Sequence, residues 1–180
     1  YNSTTSTLTP NTPLAEGTHS ITYAYEDASG NTSAQSPAFS LTVDTTPPAT
    51  PTTAISNYDD NVGAITNANS TATSTDDTTP GFNVGAIPAD ASSIVLYVDG
   101  VEVAATYDAL NETLTPNTPL TEGTHSITYA YKDASGNTSA QSPAFSLTVD
   151  TPPATPATAI SNYDDNVGAI TNANSTATTT

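Results

Sequence analysis

The sequence predicts an all-β protein built from tandem β-sandwich domains. The first observation is a long internal repeat: residues 9–44 return as 115–150 with two changes, and residues 53–75 return as 158–180 with one. A spacing of about 100 residues matches one sandwich domain, whereas solenoid repeats span only about 20–50 residues. The second observation is that apolar and polar residues alternate over short stretches, with no amphipathic helical period. We therefore expect consecutive copies of one β-sandwich.

The repeat divides the chain into four segments. We expect the C-terminal part of one repeat at residues 1–44, a linker at 45–51, a complete repeat at 52–150, and a linker with the N-terminal part of the next repeat at 151–180. The junctions read TTPPATP and TPPATP, and such proline-rich segments form semi-rigid spacers. Neither partial repeat can close a core alone, and each would expose unpaired strand edges. We therefore expect a window of a longer polymer, in which neighbouring copies supply the missing strands along one chain or by strand exchange.

Several strands are visible within the complete repeat. The run Ile94–Val98 is apolar on both faces, which indicates a central strand. Asp99-Gly100 separates it from an alternating run that begins at Val101. This dipeptide predicts a type I′ hairpin, because it accepts positive φ at both positions. About seven short strands in about 100 residues favour an immunoglobulin-like sandwich, here without the Cys–Trp–Cys pattern of antibody domains. The other predicted strands begin at Phe82 or cover residues 52–56, 113–115, 124–131 and 145–149.

The charge of the chain is strongly one-sided. It has 18 acidic residues and a single basic residue, Lys132, which gives a net charge of −17. Such a chain repels nucleic acid and anionic membranes, so both are excluded as direct partners. The chain has no cysteine, which excludes disulfides, thiolate metal sites and a cysteine nucleophile. Acidity and a composition rich in Thr, Ser and Asn favour an extracellular protein.

The acidic residues cluster in pairs that suggest calcium. NYDDNVG contains Asp59 and Asp60, its copy contains Asp164 and Asp165, and TDDTTP contains Asp76 and Asp77. Between the pairs, residues 61–75 are predicted to form a polar loop with little strand character. Carboxylate, amide and carbonyl oxygens are ligands that suit Ca²⁺ better than Mg²⁺ or zinc. The alternative is a solvated acidic loop.

The sandwich architecture predicts where these pairs meet other acids. In such a domain the loop after the first strand lies near the point where the chain leaves the domain. Asp150 ends the last strand at this same point. We therefore expect Asp150 to share a site with Asp59, Asp60, Asp76 and Asp77.

By repetition, Asp44 is expected to face the KDASGN turn, with Asp133 and Asn137, and Asp90 across the first junction. The alternative for KDASGN is a plain turn, since Asp, Ser, Gly and Asn are ordinary turn residues.

The remaining candidates favour packing over chemistry. One histidine recurs in each copy, His19 and His125, and a strand-end histidine is favoured over a metal ligand. Tyr23, Tyr25, Tyr129 and Tyr131 could form a sugar-binding platform, although the alternating strand favours core packing for at least Tyr129. No Ser–His–Asp constellation is apparent, and the acidic pairs recur in loops of every copy, so no enzyme is expected. A carbohydrate-binding module remains the alternative function.

Taken in order, the motifs DD-NVG, TDDTTP, GTHS, DASGN and TVDTTPPATP resemble the bacterial immunoglobulin-like repeats of giant biofilm-associated and RTX-type surface adhesins. The resemblance covers nearly every residue. It implies an exported protein whose repeats hold an adhesive domain away from the cell, with Ca²⁺ rigidifying the junctions. Motif by motif, it assigns the calcium role to Asp59, Asp60, Asp76, Asp77 and Asp150.

These implications define an expected function. The chain is expected to be a structural extender of a bacterial cell-surface adhesin or extracellular fibre that serves adhesion and biofilm formation. Its expected partners are neighbouring repeats of the same chain, or like chains in a filament. A glycan or other surface ligand would bind through domains outside this sequence.

Overall fold

The computed structural model describes residues 1–63 and 66–160, together with the backbone of 163–165 and 172–175. The chain divides into two compact units, Tyr1–Asp150 and Thr151–Thr180. Among the described residues there is no helix that could span a membrane. In chain order the strands are β1 (Gly17–Ile21), β2 (Phe39–Val43), β3 (Tyr58–Asp60), β4 (Asn67–Ser70), β5 (Ser74–Thr75), β6 (Gly81–Asn83), β7 (Ser93–Val98), β8 (Val101–Val103), β9 (Ala105–Asp108), β10 (Thr113–Pro116), β11 (Gly123–Lys132), β12 (Phe145–Val149), β13 (Tyr163–Asp165) and β14 (Asn172–Ser175).

The complete repeat forms two five-stranded sheets packed around one hydrophobic core, which confirms the all-β sandwich. The first sheet has the order β4-β3-β6-β10-β9, and the second has the order β5-β12-β11-β7-β8. Inward-facing residues of both sheets alternate with outward-facing ones, as the two-residue period of a strand requires. The core consists of Ile55, Tyr58, Phe82, Val84, Leu96, Leu114, Leu120, Ile127, Tyr129, Leu147 and Val149.

The predicted hairpin forms between β7 and β8. Asp99 and Gly100 have φ values of 53° and 79°, so both central residues adopt the positive φ of a type I′ turn. The alternating run after this turn does not remain one strand. It leaves the second sheet after Val103 and enters the first sheet as β9 at Ala105.

Three expectations about the strands are wrong. No strand covers residues 52–56; Ile55 instead fills the core from an irregular segment, and the first strand of the repeat is β3. The loop predicted at 61–75 contains β4 and β5. The complete repeat therefore has ten strands instead of about seven. A strand such as β5, with only two residues, is defined by backbone pairing and is too short to show alternation.

The last hairpin of the repeat occurs twice and differs between its two surroundings. β1 pairs with β2 in the same register as β11 with β12. However, β11 has 10 residues and β1 has five, because the second half of β11 also pairs with β7. Ile21 is 36% exposed, whereas its counterpart Ile127 is fully buried. In the complete repeat β7 therefore extends this hairpin within its sheet, and the core residues of the opposite sheet, such as Tyr58, Phe82 and Leu114, cover its apolar face.

Candidate metal site and repeat junction

The acidic loop meets the end of the last strand, because β5 pairs in parallel with β12. The pairing aligns Thr75 with Val149. The backbone N–H of Asp150 donates to the Thr75 carbonyl oxygen over 2.8 Å. Asp60, Asp76 and Asp150 consequently line one groove of about 300 Å³. Its other lining residues are Ser70, Ala72, Ser74 and Thr75.

Asp60 is the most informative residue of this groove. Its side chain is on the buried face of β3, and only 6% of the residue is exposed. Oδ2 accepts a hydrogen bond of 3.1 Å from the Thr75 hydroxyl, while Oδ1 is buried and has no partner within the described part of the chain. A buried polar atom without a partner is costly. Asp60 Oδ1 is therefore a carboxylate oxygen that can coordinate a cation.

Asp77 is fully buried, but its oxygens already have partners. Oδ1 accepts a 2.7 Å hydrogen bond from the Thr79 N–H, and Oδ2 accepts a longer one, 3.4 Å, from the Asn61 N–H. The Asp77 N–H itself donates to the Thr75 hydroxyl over 2.9 Å. These contacts connect both ends of the acidic loop, so Asp77 holds the shape of the loop.

Asp76 is packed against Gly63. Gly63 has a φ of +80°, and a Cβ at this position would collide with the Asp76 carboxylate. Only glycine permits both this backbone conformation and this approach. The NVG part of the first motif thus approaches the second acidic pair closely.

Asp59 lies apart from the other four predicted ligands. Consecutive residues of a strand point to opposite faces, so Asp59 points away from the core face on which Tyr58 and Asp60 lie. It lines a different groove, together with Asn83 and Thr113. Asp59 and Asp60, expected to share one site, therefore line different grooves in this structure. Asp164 and Asp165 lie in β13, and their side chains are outside the described residues.

The described residues contain no group of three or more His, Cys, Asp or Glu side chains arranged to hold a metal ion. A Ca²⁺ ion in the groove would therefore need carbonyl, hydroxyl or water oxygens in addition to the carboxylates, as is common for this ion. The donor set and the unpartnered Asp60 oxygen fit this chemistry. Calcium binding at these residues remains a prediction.

The first junction brings together the predicted residues around Asp44. The Ser135 hydroxyl donates to Asp44 Oδ2 over 3.0 Å, and Asn137 Nδ2 donates to the Asp44 carbonyl oxygen over 3.0 Å. Asn137 Nδ2 also lies 2.8 Å from Asp133 Oδ2, a hydrogen bond that lowers the pKa of Asp133. The end of one repeat is thus held directly by the KDASGN turn of the next.

The linker between these repeats is also fixed. The Ala49 N–H donates to Asp90 Oδ2 over 2.9 Å, and Pro48 and Pro51 are buried. On the other side, Glu16 Oε2 accepts hydrogen bonds from the hydroxyl and the N–H of Thr45, which lower the pKa of Glu16. The linker is therefore held at both ends by side chains of the two repeats that it joins.

The corresponding turn of the first copy, which begins at Asp27, shows which contacts belong to the turn and which belong to the junction. Asp27 Oδ1 accepts hydrogen bonds from the N–H groups of Ser29 and Asn31, as Asp133 does in the second copy. Within the described part of the chain Asn31 Nδ2 donates only to Asp27, whereas Asn137 Nδ2 also donates to Asp44. The motif is therefore an ordinary turn by its internal geometry, and the junction contact is an additional role.

Two stretches of the sequence, residues 2–45 and 49–151, match the family model of the bacterial Ig-like domain. The chain belongs to this family. No curated protein matches it. Bacterial Ig-like domains are typically non-catalytic structural modules, and they commonly occur in surface or extracellular proteins. The junction described above therefore connects consecutive Ig-like repeats.

The histidine of the complete Ig-like repeat has a structural partner that the sequence analysis missed. His125 Nδ1 lies 2.8 Å from Asp99 Oδ2, and Nε2 lies 2.8 Å from the Thr121 carbonyl oxygen. Both contacts raise the pKa of His125, and the contact with Asp99 is the larger cause. Asp99 was interpreted only as a turn residue, and nothing in the local sequence connects it to a histidine 26 positions away.

The tyrosines of the complete Ig-like repeat belong to the core. Tyr129 is buried, and its hydroxyl donates to the Thr53 carbonyl oxygen over 3.3 Å. Its ring lies 5.8 Å from that of Tyr131 in an edge-to-face arrangement. Burial raises the pKa of Tyr131 to about 12. Tyr129 and Tyr131 therefore pack in or against the core, whereas their counterparts Tyr23 and Tyr25 in the first copy are exposed.

Proposed function

We propose that this chain is an extender segment of a bacterial cell-surface adhesin or extracellular fibre, with Ca²⁺ adding rigidity to its junctions. The observation that carries the proposal is the direct contact of Asp44 with Ser135 and Asn137. A protein that acts through its length needs a defined angle between successive domains. Hydrogen bonds between repeats, together with a linker that contains buried prolines, supply such an angle.

In this proposal calcium acts at both ends of the complete repeat. At its exit, Asp60, Asp76 and Asp150 line one groove, and Asp60 offers an unpartnered buried oxygen. At its entry, Asp44 and Asp133 bring two carboxylates to the same turn. A chain with a net charge of −17 repels itself when compact, and bound divalent cations relieve this repulsion.

The location and partners follow from the same reasoning. Ig-like repeats with this acidity suit an extracellular position at the bacterial surface. Their partners are neighbouring repeats of the same chain or of like chains in a filament. Adhesion and biofilm formation would depend on domains that these repeats present to their surroundings.

A distance measurement across the first junction tests this function. The sequence has no cysteine. Thr18→Cys and Thr124→Cys therefore introduce two unique spin-label sites at equivalent positions of successive repeats. Both threonines are exposed. Pulsed electron paramagnetic resonance should give one narrow distance distribution, which narrows further in millimolar Ca²⁺ and broadens in EDTA.

The chain provides a matched control for this experiment. Asn137→Ala removes the contact with Asp44, so the distribution should broaden, whereas Asn31→Ala removes only turn contacts and should leave it narrow. A distribution that is broad in the unmodified chain, or that does not respond to Asn137→Ala, would contradict a defined junction. An unchanged distribution in Ca²⁺ and EDTA would contradict the calcium part of the proposal.

A further inference from the structure

The outward face of the first sheet contains a groove of about 690 Å³. It extends across the sheet from the β3–β4 hairpin to the β9–β10 hairpin, on the side opposite the core. Apart from Ala68, every lining side chain is a carboxylate, an amide or a hydroxyl. The lining residues are Asp59, Ala68, Asn69, Asn83, Thr106, Asp108, Asn111, Thr113, Thr115 and Asn117.

A buried glycine lies beneath three of the residues that line the groove. Gly81 is paired with Asp59 on the neighbouring strand. A Cβ at Gly81 would lie 3.3 Å from the Thr115 hydroxyl oxygen, 3.4 Å from the Asp59 Cβ and 3.5 Å from the Thr113 Cβ. A side chain at this position would occupy the space between those three residues. Gly81 is buried, so these three polar side chains pack closely over it and its lack of a side chain lets them do so.

Several polar groups of this groove are available to a ligand. The side chains of Asp59, Asn83, Thr113 and Thr115 have no hydrogen-bond partners within the described part of the chain, while Thr106 and Asn117 bond to each other over 2.7 Å. Carboxylate and amide side chains bind sugar hydroxyls, because they accept hydrogen bonds and the amides also donate them. No basic residue lines the groove, so anionic ligands are disfavoured.

The rim of this groove is where the two copies of the repeat differ at several consecutive positions. Residues 2–6 read NSTTS, and the equivalent residues 108–112 read DALNE, so five consecutive positions all differ. Across the next 38 positions, residues 7–44 and 113–150, the copies differ at only two. Asp108 and Asn111, from the divergent stretch, line the groove.

The backbone of the divergent turn is the same in both copies. Asn2 Oδ1 accepts hydrogen bonds from the N–H groups two and three residues later, and Asp108 Oδ1 does the same. Ser6 and Glu112 have φ values of 53° and 55°. The substitutions therefore exchange the presented side chains on a fixed turn. They add two carboxylates and place Leu110, 89% exposed, where the first copy has Thr4.

We propose that this groove binds a neutral oligosaccharide and that the turn at residues 108–112 sets which oligosaccharide each repeat prefers. A peptide is disfavoured as the ligand, because the groove has no pocket for an apolar side chain. No aromatic ring lines the groove, so each site binds weakly, and a row of repeats gains strength through avidity. The site adds a binding role to the extender function and does not depend on it.

The test uses the full chain, displayed in many copies on beads, on an array of neutral and acidic oligosaccharides. The unmodified chain should bind a subset of the neutral ones and none of the sialylated, sulfated or uronic acid oligosaccharides. Asp59→Asn keeps the size of the side chain but removes its charge, and it should weaken binding about tenfold, the loss expected for one charge-assisted hydrogen bond. Gly81→Val should abolish binding by displacing Asp59, Thr113 and Thr115, which a side chain at this position would contact.

The decisive variant exchanges DALNE at 108–112 for the NSTTS of residues 2–6. This chain already folds both sequences into the same turn, so the variant should keep the melting temperature while binding a different subset of neutral oligosaccharides. Glu102→Gln, which removes an exposed carboxylate from the other sheet, is the matched control and should change nothing. The proposal is overturned if no neutral oligosaccharide binds or acidic ones bind equally well. It is also overturned if the turn exchange leaves the pattern unchanged, or if Asp59→Asn and a folded Gly81→Val bind normally.

Discussion

His125 Nδ1 and Asp99 Oδ2 lie 2.8 Å apart, which connects the start of β11 to the turn between β7 and β8. The other oxygen of Asp99 accepts a 2.8 Å hydrogen bond from the Ser126 N–H. That backbone contact, followed by the contact with His125, lowers the pKa of Asp99, while Asp99 in turn raises the pKa of His125. One exposed carboxylate therefore fixes the hairpin against the longest strand.

The pair predicts a pH-dependent contribution to stability. A raised histidine pKa stabilises the fold below the ordinary value near 6.5 and loses this effect as pH rises through the raised value. Because Asp99 is about half exposed, the contribution should be at most about 1 kcal/mol. Asp99→Asn keeps an oxygen for Ser126, so the difference in unfolding free energy between wild type and variant should be larger at pH 5.5 than at pH 8.5. A difference that grows with pH would contradict the assignment.

Identical leucines in the two copies should respond differently to truncation. Leu147 is fully buried, whereas its counterpart Leu41 is 38% exposed. Leu147→Ala should therefore cost about 2–5 kcal/mol in the unfolding free energy of the complete repeat. Leu41→Ala should change it by less than about 0.5 kcal/mol. Urea denaturation followed by near-UV circular dichroism measures both values, and equal losses would show that the exposed hairpin is covered in solution.

Calcium should stabilise the complete repeat through Asp60 and not through Asp59. If only the folded chain binds Ca²⁺, a tenfold excess over the dissociation constant adds about 1.4 kcal/mol, so EDTA should lower the melting temperature and Ca²⁺ restore it. Asp60→Asn should remove this response, since it neutralises the carboxylate whose Oδ1 is unpartnered. Asp59→Asn, on the opposite face of the same strand, is the control and should retain it. Identical melting of the unmodified chain in EDTA and Ca²⁺ would end the calcium hypothesis.

Gly63 should tolerate alanine less well than Gly136. Both have positive φ, at +80° and +94°, so alanine strains the backbone at either position. Only at Gly63 does the new methyl group collide with a neighbour, the Asp76 carboxylate, whereas a Cβ at Gly136 meets no atom within 4 Å. Gly63→Ala should therefore lower the melting temperature more than Gly136→Ala. Equal effects would mean that the acidic loop relaxes away from residue 63.

Much of the fold could be predicted because side-chain type reports backbone conformation directly. Asp99-Gly100 predicted its turn because positive φ is costly for most other residues, and Ile94–Val98 predicted an inner strand by its apolar character. The short strands β4 and β5 could not be predicted, since they are rich in Asn, Ser and Thr and depend on pairing with distant strands. The boundary of β1 shows the same limit, because a sequence shared with β11 forms a shorter strand where β7 is absent.

Part of the candidate site could also be predicted, because the repeats and the domain architecture indicate which segments meet. Repetition and domain architecture placed Asp44 near Asn137 and Asp76 near Asp150. The adjacency of Asp59 and Asp60 was misleading, because neighbours in sequence point to opposite faces once the segment is a strand. The contact of Asp99 with His125 depends on how two strands align, and composition does not specify that alignment.

The parallel pairing of β5 with β12 has a consequence for a chain under tension. β12 lies between β5 and β11, and the chain leaves the repeat at Asp150, directly after β12. A pull along the chain at that point slides β12 along both neighbours, so the hydrogen bonds on its two sides share the force and do not open one after another. A repeat held in this way resists being drawn out from its C-terminal end.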